Sequence, residues 1–335
     1  MKRDPMIRKH HPVLHALAVL LIFCLLVGQA TQQQGAKKPK GTKSVDKGIT
    51  ARMKADSLAA AARADSIRGF AEKAAADSMK AAREAALAKE SADSLKTFVY
   101  RRVKNEAFGV GERLVFTVNY GFITAGEAVM EVSAFDSVAG RQCYRIEFRV
   151  NSLPSFAWIY KVDDHYLTYI DVESIAPHRF EQHIREGNYV RDFTAEFDQA
   201  RNVAKTSEGT FPTPPYVHDI VSAFYFARTI DFTRMNVGDQ VVLSNFYKDK
   251  SYELAVKFLG RQELEVDAGT FNTIVVEPLV KEGGLFKSDG RIVIWLSDDD
   301  RKLPVRVNTK VVIGSIDTEL REYTGVIGPV AGRKK

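Results

Sequence analysis

Residues 143–150, CYRIEFRV, set Tyr144, Ile146, Phe148 and Val150 at every second position, with Arg145, Glu147 and Arg149 between them. Successive side chains of an extended chain point to opposite faces, so this alternation reads as a strand with one apolar and one solvated face. Residues 114–120, LVFTVNY, repeat it with Leu114, Phe116, Val118 and Tyr120 on one side. Further strands are expected at 124–135, 165–171, 178–185, 189–197, 240–247, 252–259, 262–266, 271–279, 291–296, 304–313 and 316–323. Loops marked by Gly or Asp separate many of them, and strands do not alternate with helices, which points to an antiparallel meander. One helix is expected at 218–230, HDIVSAFYFARTI. Asp219 can accept from the amides freed at its start, and Ile220, Ala223, Phe224, Ala227 and Ile230 form a stripe that would pack on the sheet. The prolines of FPTPPY mark the boundary before it.

The first third of the chain differs from this body. A basic segment, MKRDPMIRKHHPVLH, precedes the apolar run ALAVLLIFCLLV at 16–27 and then Gly28-Gln29-Ala30. Twelve apolar residues fall short of the roughly 20 that span a bilayer, and small residues occupy the two positions a signal peptidase reads. An export signal over 1–30, cleaved after Ala30, is expected, with an uncleaved anchor as the alternative. Residues 31–50 read as a disordered basic linker. Residues 51–104, rich in Ala, Lys and Asp, read as a helical spacer. Its four Ala-Asp-Ser-(Leu/Ile/Met) tetrapeptides have no common period, so they define neither a solenoid nor a continuous seam. The β-rich domain is expected over 105–327 and a basic tail over 328–335.

The formal charge of +6 suggests a nucleic-acid binder until it is divided along the chain. Residues 31–104 carry 17 basic against 8 acidic side chains, and the body from 105 onward is net negative, so the folded part repels phosphate. Once Cys24 leaves with the signal, Cys143 is the single cysteine, which rules out an intramolecular disulfide and a thiolate metal cluster. Asp298, Asp299 and Asp300 stand between two strand patterns, where short carboxylates commonly bond turn amides, and the calcium-loop spacing is absent. Asp163, Asp164 and His165 read as a loop, with no nucleophile elbow, HExxH or phosphate-binding glycine loop in the chain. No catalytic residue, metal site or cofactor is expected. A carboxylate-based hydrolase would need Asp163, Asp164, Glu181 and Glu196 to converge.

GERLVFTVNYGFITAGEAVMEV near the start of the body, DIVSAFYFAR in the middle, and AGTFNTIVVEP followed by IWLSDDDRKLPVRVNTKVVIGSIDTELREY at the end resemble, in that order, the bacterial domain-of-unknown-function family 3108 over about residues 107–325. The resemblance implies an exported, β-rich envelope protein and supplies no active site. The expected fold is mainly β, a curved antiparallel sheet or open barrel similar to lipoprotein carriers and lipocalins, with one packed helix and an interior either filled or hollow. The expected role is non-enzymatic, binding a lipid-like or apolar ligand or an envelope protein partner, in the periplasm or cell envelope. Contact with a membrane is expected only through an uncleaved N-terminal segment. Phe116, Tyr120, Phe148, Trp158, Tyr160, Phe180 and Trp295 are the candidate lining residues. The alternative is a structural domain displayed on the spacer.

Overall fold

The computed structural model describes residues 78–79, 98–281, 291–311 and 314–334. The expected signal, linker and almost all of the spacer lie outside them. From Tyr100 onward the chain belongs to one compact unit, and residues 100–106 carry no helix. Arg101 holds this segment to the body. Its guanidinium lies 4.2 Å above the Tyr216 ring and 4.8 Å above that of Phe226, and its Nε donates to the Ser174 carbonyl at 2.9 Å.

Fourteen strands follow: β1 (Arg113–Tyr120), β2 (Ile123–Val138), β3 (Arg141–Ser152), β4 (Asp163–Asp171), β5 (Pro177–Glu186), β6 (Tyr189–Asp198), β7 (Val203–Thr206), β8 (Gly209–Pro212), β9 (Gln240–Tyr247), β10 (Lys250–Val266), β11 (Gly269–Lys281), β12 (Ile292–Ser297), β13 (Pro304–Lys310) and β14 (Ser315–Thr324). A short helix, α1 (Pro154–Ala157), lies between β3 and β4, and α2 (Ile220–Ala227) between β8 and β9. The strands form one sheet in the order β8-β7-β6-β5-β4-β3-β2-β1-β14-β13-β12-β11-β10-β9. Every strand pairing in it is antiparallel. All neighbours are consecutive in sequence except β1 and β14, which place the first and last strands side by side in the middle.

This order makes β8 and β9 the two edges, so the segment that joins them must cross from one end of the sheet to the other. It crosses the concave side, carrying α2. The sheet is curled enough for side chains from both edges to meet: the Phe246 ring of β9 lies 5.8 Å from Phe197 and 6.1 Å from Phe211. Between the edges, His218 makes a parallel bridge with Asn245, donating to the Ser244 carbonyl at 2.8 Å and accepting from the Phe246 amide at 2.7 Å. No ladder joins β8 to β9 among the described residues, so the curved sheet is unclosed.

Two strands expected at 252–259 and 262–266 are one, β10. Its register against β11 shifts between Phe258 and Gly260, where Gly260 takes φ +124°, a value open to glycine and strained for other residues. The short strands β7 and β8 and the helix α1 were not expected. The helix at 218–230 is shorter than its pattern, and Asp219 caps it as anticipated, accepting from the Val221 and Ser222 amides at 2.9 Å each.

Helix α2 packs on both sides. Val221 and Tyr225 enter a large apolar core with residues from β1 to β7, and Ala223 enters a second with Leu243, Leu254, Phe258 and Ile294. Immediately after the helix comes Arg228, fully buried. Its guanidinium grips the Glu112 carboxylate with two bonds of 2.6 and 2.8 Å and donates to the carbonyls of Ala107 at 3.0 Å and Arg301 at 3.2 Å. Glu112 is buried as well and directly precedes β1. Removing one partner strands a buried charge, at a cost of about 3–5 kcal/mol, whereas apolar replacement of both is much less costly. Arg228→Met should therefore lower the urea midpoint of unfolding sharply, and Glu112→Leu with Arg228→Met should recover most of the loss.

Candidate functional site

Strand parity turns Phe116 of β1, Met130 of β2, Phe148 of β3, Val307 and Thr309 of β13 and Thr318 of β14 toward the helix. Together with Pro304 and with Ile220, Val221 and Phe224 of α2, they line a cleft with a cavity volume of about 90 Å³. On the opposite flank of α2, Ala223, Phe224 and Ala227 face Leu254, Val256, Val276, Pro278, Ile294 and Leu296 across a narrower gap of about 20 Å³. Phe224 borders both, so its ring divides one apolar trough in two. A third recess of about 30 Å³ lies beneath α1, lined by Val118, Tyr120, Ala125, Val150, Phe156, Val162 and Ile316 among others. The pairings Val118 with Thr318 and Tyr120 with Ile316 set it one step beyond the first cleft along the same strands. An apolar cavity of about 150 Å³ admits benzene, so the trough is nearly filled, and α2 is what fills it. The Thr309 and Thr318 hydroxyls are the side-chain polar handles of the first cleft.

The candidate residues fall in several places. Phe116 and Phe148 line the first cleft and Tyr120 the third recess. Phe180 is buried in an aromatic row that runs from Phe148 through Tyr166 to Phe193, with ring centroids 5.7, 6.5 and 6.4 Å apart. Tyr160 packs over Gly187. The other two depart from the expected concave lining. Trp158 is 81% exposed, because it sits in the β3–β4 connection beyond the end of the sheet. Trp295 lies between Ile294 and Leu296, which face α2, so parity turns it to the convex face, where the Arg306 guanidinium stands 5.7 Å from its ring.

The four carboxylates of the hydrolase alternative do not share a cleft. Asp164 is buried on the inner side, Asp163 is exposed, Glu181 pairs with Arg179 at 2.8 Å, and Glu196 is exposed opposite Arg179. Asp299 organises the β12–β13 turn. One oxygen accepts from Ser297 Oγ at 2.8 Å and from the Arg301 and Lys302 amides at 2.9 and 3.1 Å; the other accepts from the Gly332 amide at 2.7 Å. The expected basic tail is thereby stitched to the body, with Lys334 also donating its amide to Thr270 at 2.8 Å. Cys143 is buried, and burial pushes its thiol up to about 12. Among the described residues no group of three or more His, Cys, Asp and Glu could hold a metal, and no helix is long and apolar enough to cross a membrane.

One pairing was not visible in the sequence, that of Asp164 with Glu186. Asp164 and Glu186 are each at most 2% exposed and hydrogen-bond to each other. Asp164 also accepts from the Arg185 amide at 2.8 Å and the Tyr166 hydroxyl at 3.3 Å. Burial raises both carboxyls, and the Asp164 charge raises Glu186 further. Asp164, with its donors, keeps the charge, and Glu186 keeps the proton. Neither lines the cavities described, so the pair is a structural tie between β4 and β5. Its folded-state proton affinity exceeds that of the unfolded chain. The pair's stabilising contribution is thus complete at acid pH and is lost as pH rises from the ordinary carboxyl range through the raised native value. Urea unfolding at pH 5, 7 and 9 should show Glu186→Gln flattening that decline relative to the unsubstituted protein.

Several solved structures are similar to this chain over about two thirds of its length. They include a β-barrel-like protein of domain of unknown function DUF1849 from Brucella abortus, 12% identical, covering 69% of this chain and 100% of that one with a TM-score of 0.46. A "putative lipoprotein" from Parabacteroides distasonis is 11% identical over 68% of this chain and 100% of that one, TM-score 0.31. A "putative exported protein with YmcC-like fold" from Bacteroides fragilis is 12% identical over 66% and 99%, TM-score 0.33. No curated protein matches the chain. The family described as "Protein of unknown function (DUF3108)" matches residues 115–321.

Proposed function

The chain belongs to the DUF3108 family, and we propose that its body is a non-enzymatic binder of an apolar, lipid-like ligand, acting in the cell envelope after export. The observation that carries this reading is the apolar trough split by Phe224, with a helix rather than strands as the filling element. Pockets for ligands of drug size usually hold several hundred Å³, so an acyl chain can enter only if α2 yields. Its ends are held, by the Asp219 cap, whose other oxygen accepts from Thr168 Oγ1 at 2.8 Å, and by Arg228. The ring of Phe224 and the turn around it are the movable part. A charged ligand would find no counter-ion among the residues lining the first cleft, whereas a hydrocarbon chain finds Phe116, Met130 and Phe148 and replaces water-exposed apolar area at roughly 25 cal/mol per Å². The envelope location rests on the export signal expected at 1–30.

Binding of 11-(dansylamino)undecanoic acid to the full chain, and its displacement by palmitate, tests this reading. Val307→Phe puts an aromatic ring into the first cleft from a half-buried strand position. It should weaken probe binding at least tenfold, about 1.4 kcal/mol, with the unfolding midpoint little changed. Equal binding by the variant, or no displaceable binding by the parent, assigns the filled interior to a structural domain instead.

A further inference from the structure

The connections β1–β2, β3–β4 and β5–β6 belong to adjacent strands and emerge at the same end of the sheet. They are tied together there: the Leu153 amide donates to Ala125 at 2.9 Å, and the Gly187 amide to Lys161 at 2.9 Å. All three present large apolar side chains to solvent, Phe122 at 99%, Ile123 at 45%, Trp158 at 81%, Ile159 at 43%, Tyr189 at 41% and Val190 at 61%. An apolar cluster of this kind on a folded domain marks an interaction site. We propose that this rim docks on the surface of a lipid bilayer carrying anionic headgroups.

Three observations favour lipid over a protein partner. First, the indole N–H and many backbone amides of the rim are already bonded within the fold. Trp158 Nε1 donates to the Ser155 carbonyl at 3.0 Å. The amides of Phe156, Ala157, Ile159 and Tyr160 donate within the same turn at 2.8 to 3.2 Å, and that of Gly121 to Ser315 at 3.3 Å. Entry into the hydrocarbon boundary then exposes few unpaired donors, the main penalty there, whereas a protein interface usually draws on such groups for its own hydrogen bonds. Second, Trp and Tyr are the side chains enriched at headgroup depth, and Trp158 and Tyr189 both stand exposed on this rim. Third, the two ends differ in charge. Lys161, Lys250, Arg291 and Lys310 are exposed at this end against Asp163, Glu208 and Asp249, whereas the turns of the far end carry Glu173, Asp267, Asp298, Asp299 and Asp300 against Arg201, Arg301 and Lys302. The basic end faces anionic lipid, and the acidic end points away from it. The recess bordered by Tyr120 and Phe156 lies directly beneath the rim, between it and the helix-filled trough.

The chain has two tryptophans, so the full-length protein carrying Trp295→Phe emits from Trp158 alone. With vesicles of equal parts phosphatidylglycerol and phosphatidylcholine, its emission should shift to shorter wavelength and be quenched several-fold by lipids brominated on the acyl chain. Phe122→Ser with Ile159→Ser should abolish the quenching, and Lys161→Glu should reduce it on anionic vesicles. Attachment through residues 16–27 alone leaves Trp158 unaffected, so the readout is specific to the rim. Trp158 as open to acrylamide with vesicles as without them overturns the proposal, as does shielding of Trp158 that depends on protein concentration and not on lipid, which assigns the rim to a second copy of the chain. Docking of the rim is independent of ligand binding in the trough. Quenching without uptake of the dansyl probe keeps it and removes the ligand reading; probe uptake with an unshielded Trp158 does the reverse.

Discussion

The buried bond between Arg228 and Glu112 fixes where everything else can be. Helix α2 has eight residues, too few to persist in water without tertiary support, and it lies on the segment that must connect two opposite edges of a fourteen-stranded sheet. That crossing could take many paths. The guanidinium, held by both carboxylate oxygens and two backbone carbonyls, ties the end of the helix to the residue before the central strand β1. Desolvating two charges offsets much of the attraction between them. What the pair secures is position: α2 lies on the concave face, and the curled sheet has a filled floor instead of an open lumen.

From that placement the apolar clefts follow. A helix is narrower than the curved sheet it occupies, so gaps remain on its flanks, and Phe224, on the face between them, separates the two. Toward the rim the sheet continues past the helix, and α1, with Phe156 buried beneath it, covers the recess this leaves. At that same end the Asp164–Glu186 tie joins β4 to β5 next to the α1 segment, whose Tyr160 lies over Gly187. Buried carboxylates thus each keep a partner, Glu112 with Arg228, Asp164 with Glu186, Asp171 with Arg141 and Asp219 with the first amides of α2, while the clefts that flank Phe224 are lined by apolar side chains and two threonines.

Much of this was legible in the sequence, for physical reasons that can be named. Alternation in CYRIEFRV and LVFTVNY reports faces directly, and both segments are strands with those residues turned as read. Asp219 announces a helix start because a carboxylate there satisfies amides that nothing else can reach. Asp299 behaves as a turn residue for the same reason. The partners of each strand were not legible, since a period of two fixes a face and says nothing about a neighbour; the β1–β14 pairing joins Arg113 to Thr324, and the Arg228–Glu112 bond that places α2 spans 116 residues. Trp295 was misplaced because residues 292–296, IVIWL, are apolar at every position, with no polar residue to mark which face is which. Trp158, in FAWIY, has the composition of a core residue, and only the position of its connection beyond the sheet reveals it as surface. Glu186 gave no signal, for its partner lies across a hairpin and its proton is held by burial.

The most direct test of the account observes the trough itself. The chain has six methionines; Met130 lines the first cleft, and Met235 packs against the second apolar cluster behind it. In a protein labelled with carbon-13 on the methionine methyls, titration with laurate should move the Met130 resonance saturably and leave that of Met235 in place. A Met130 signal that does not move, or shifts of equal size at both methionines, would contradict a ligand site between α2 and the concave sheet.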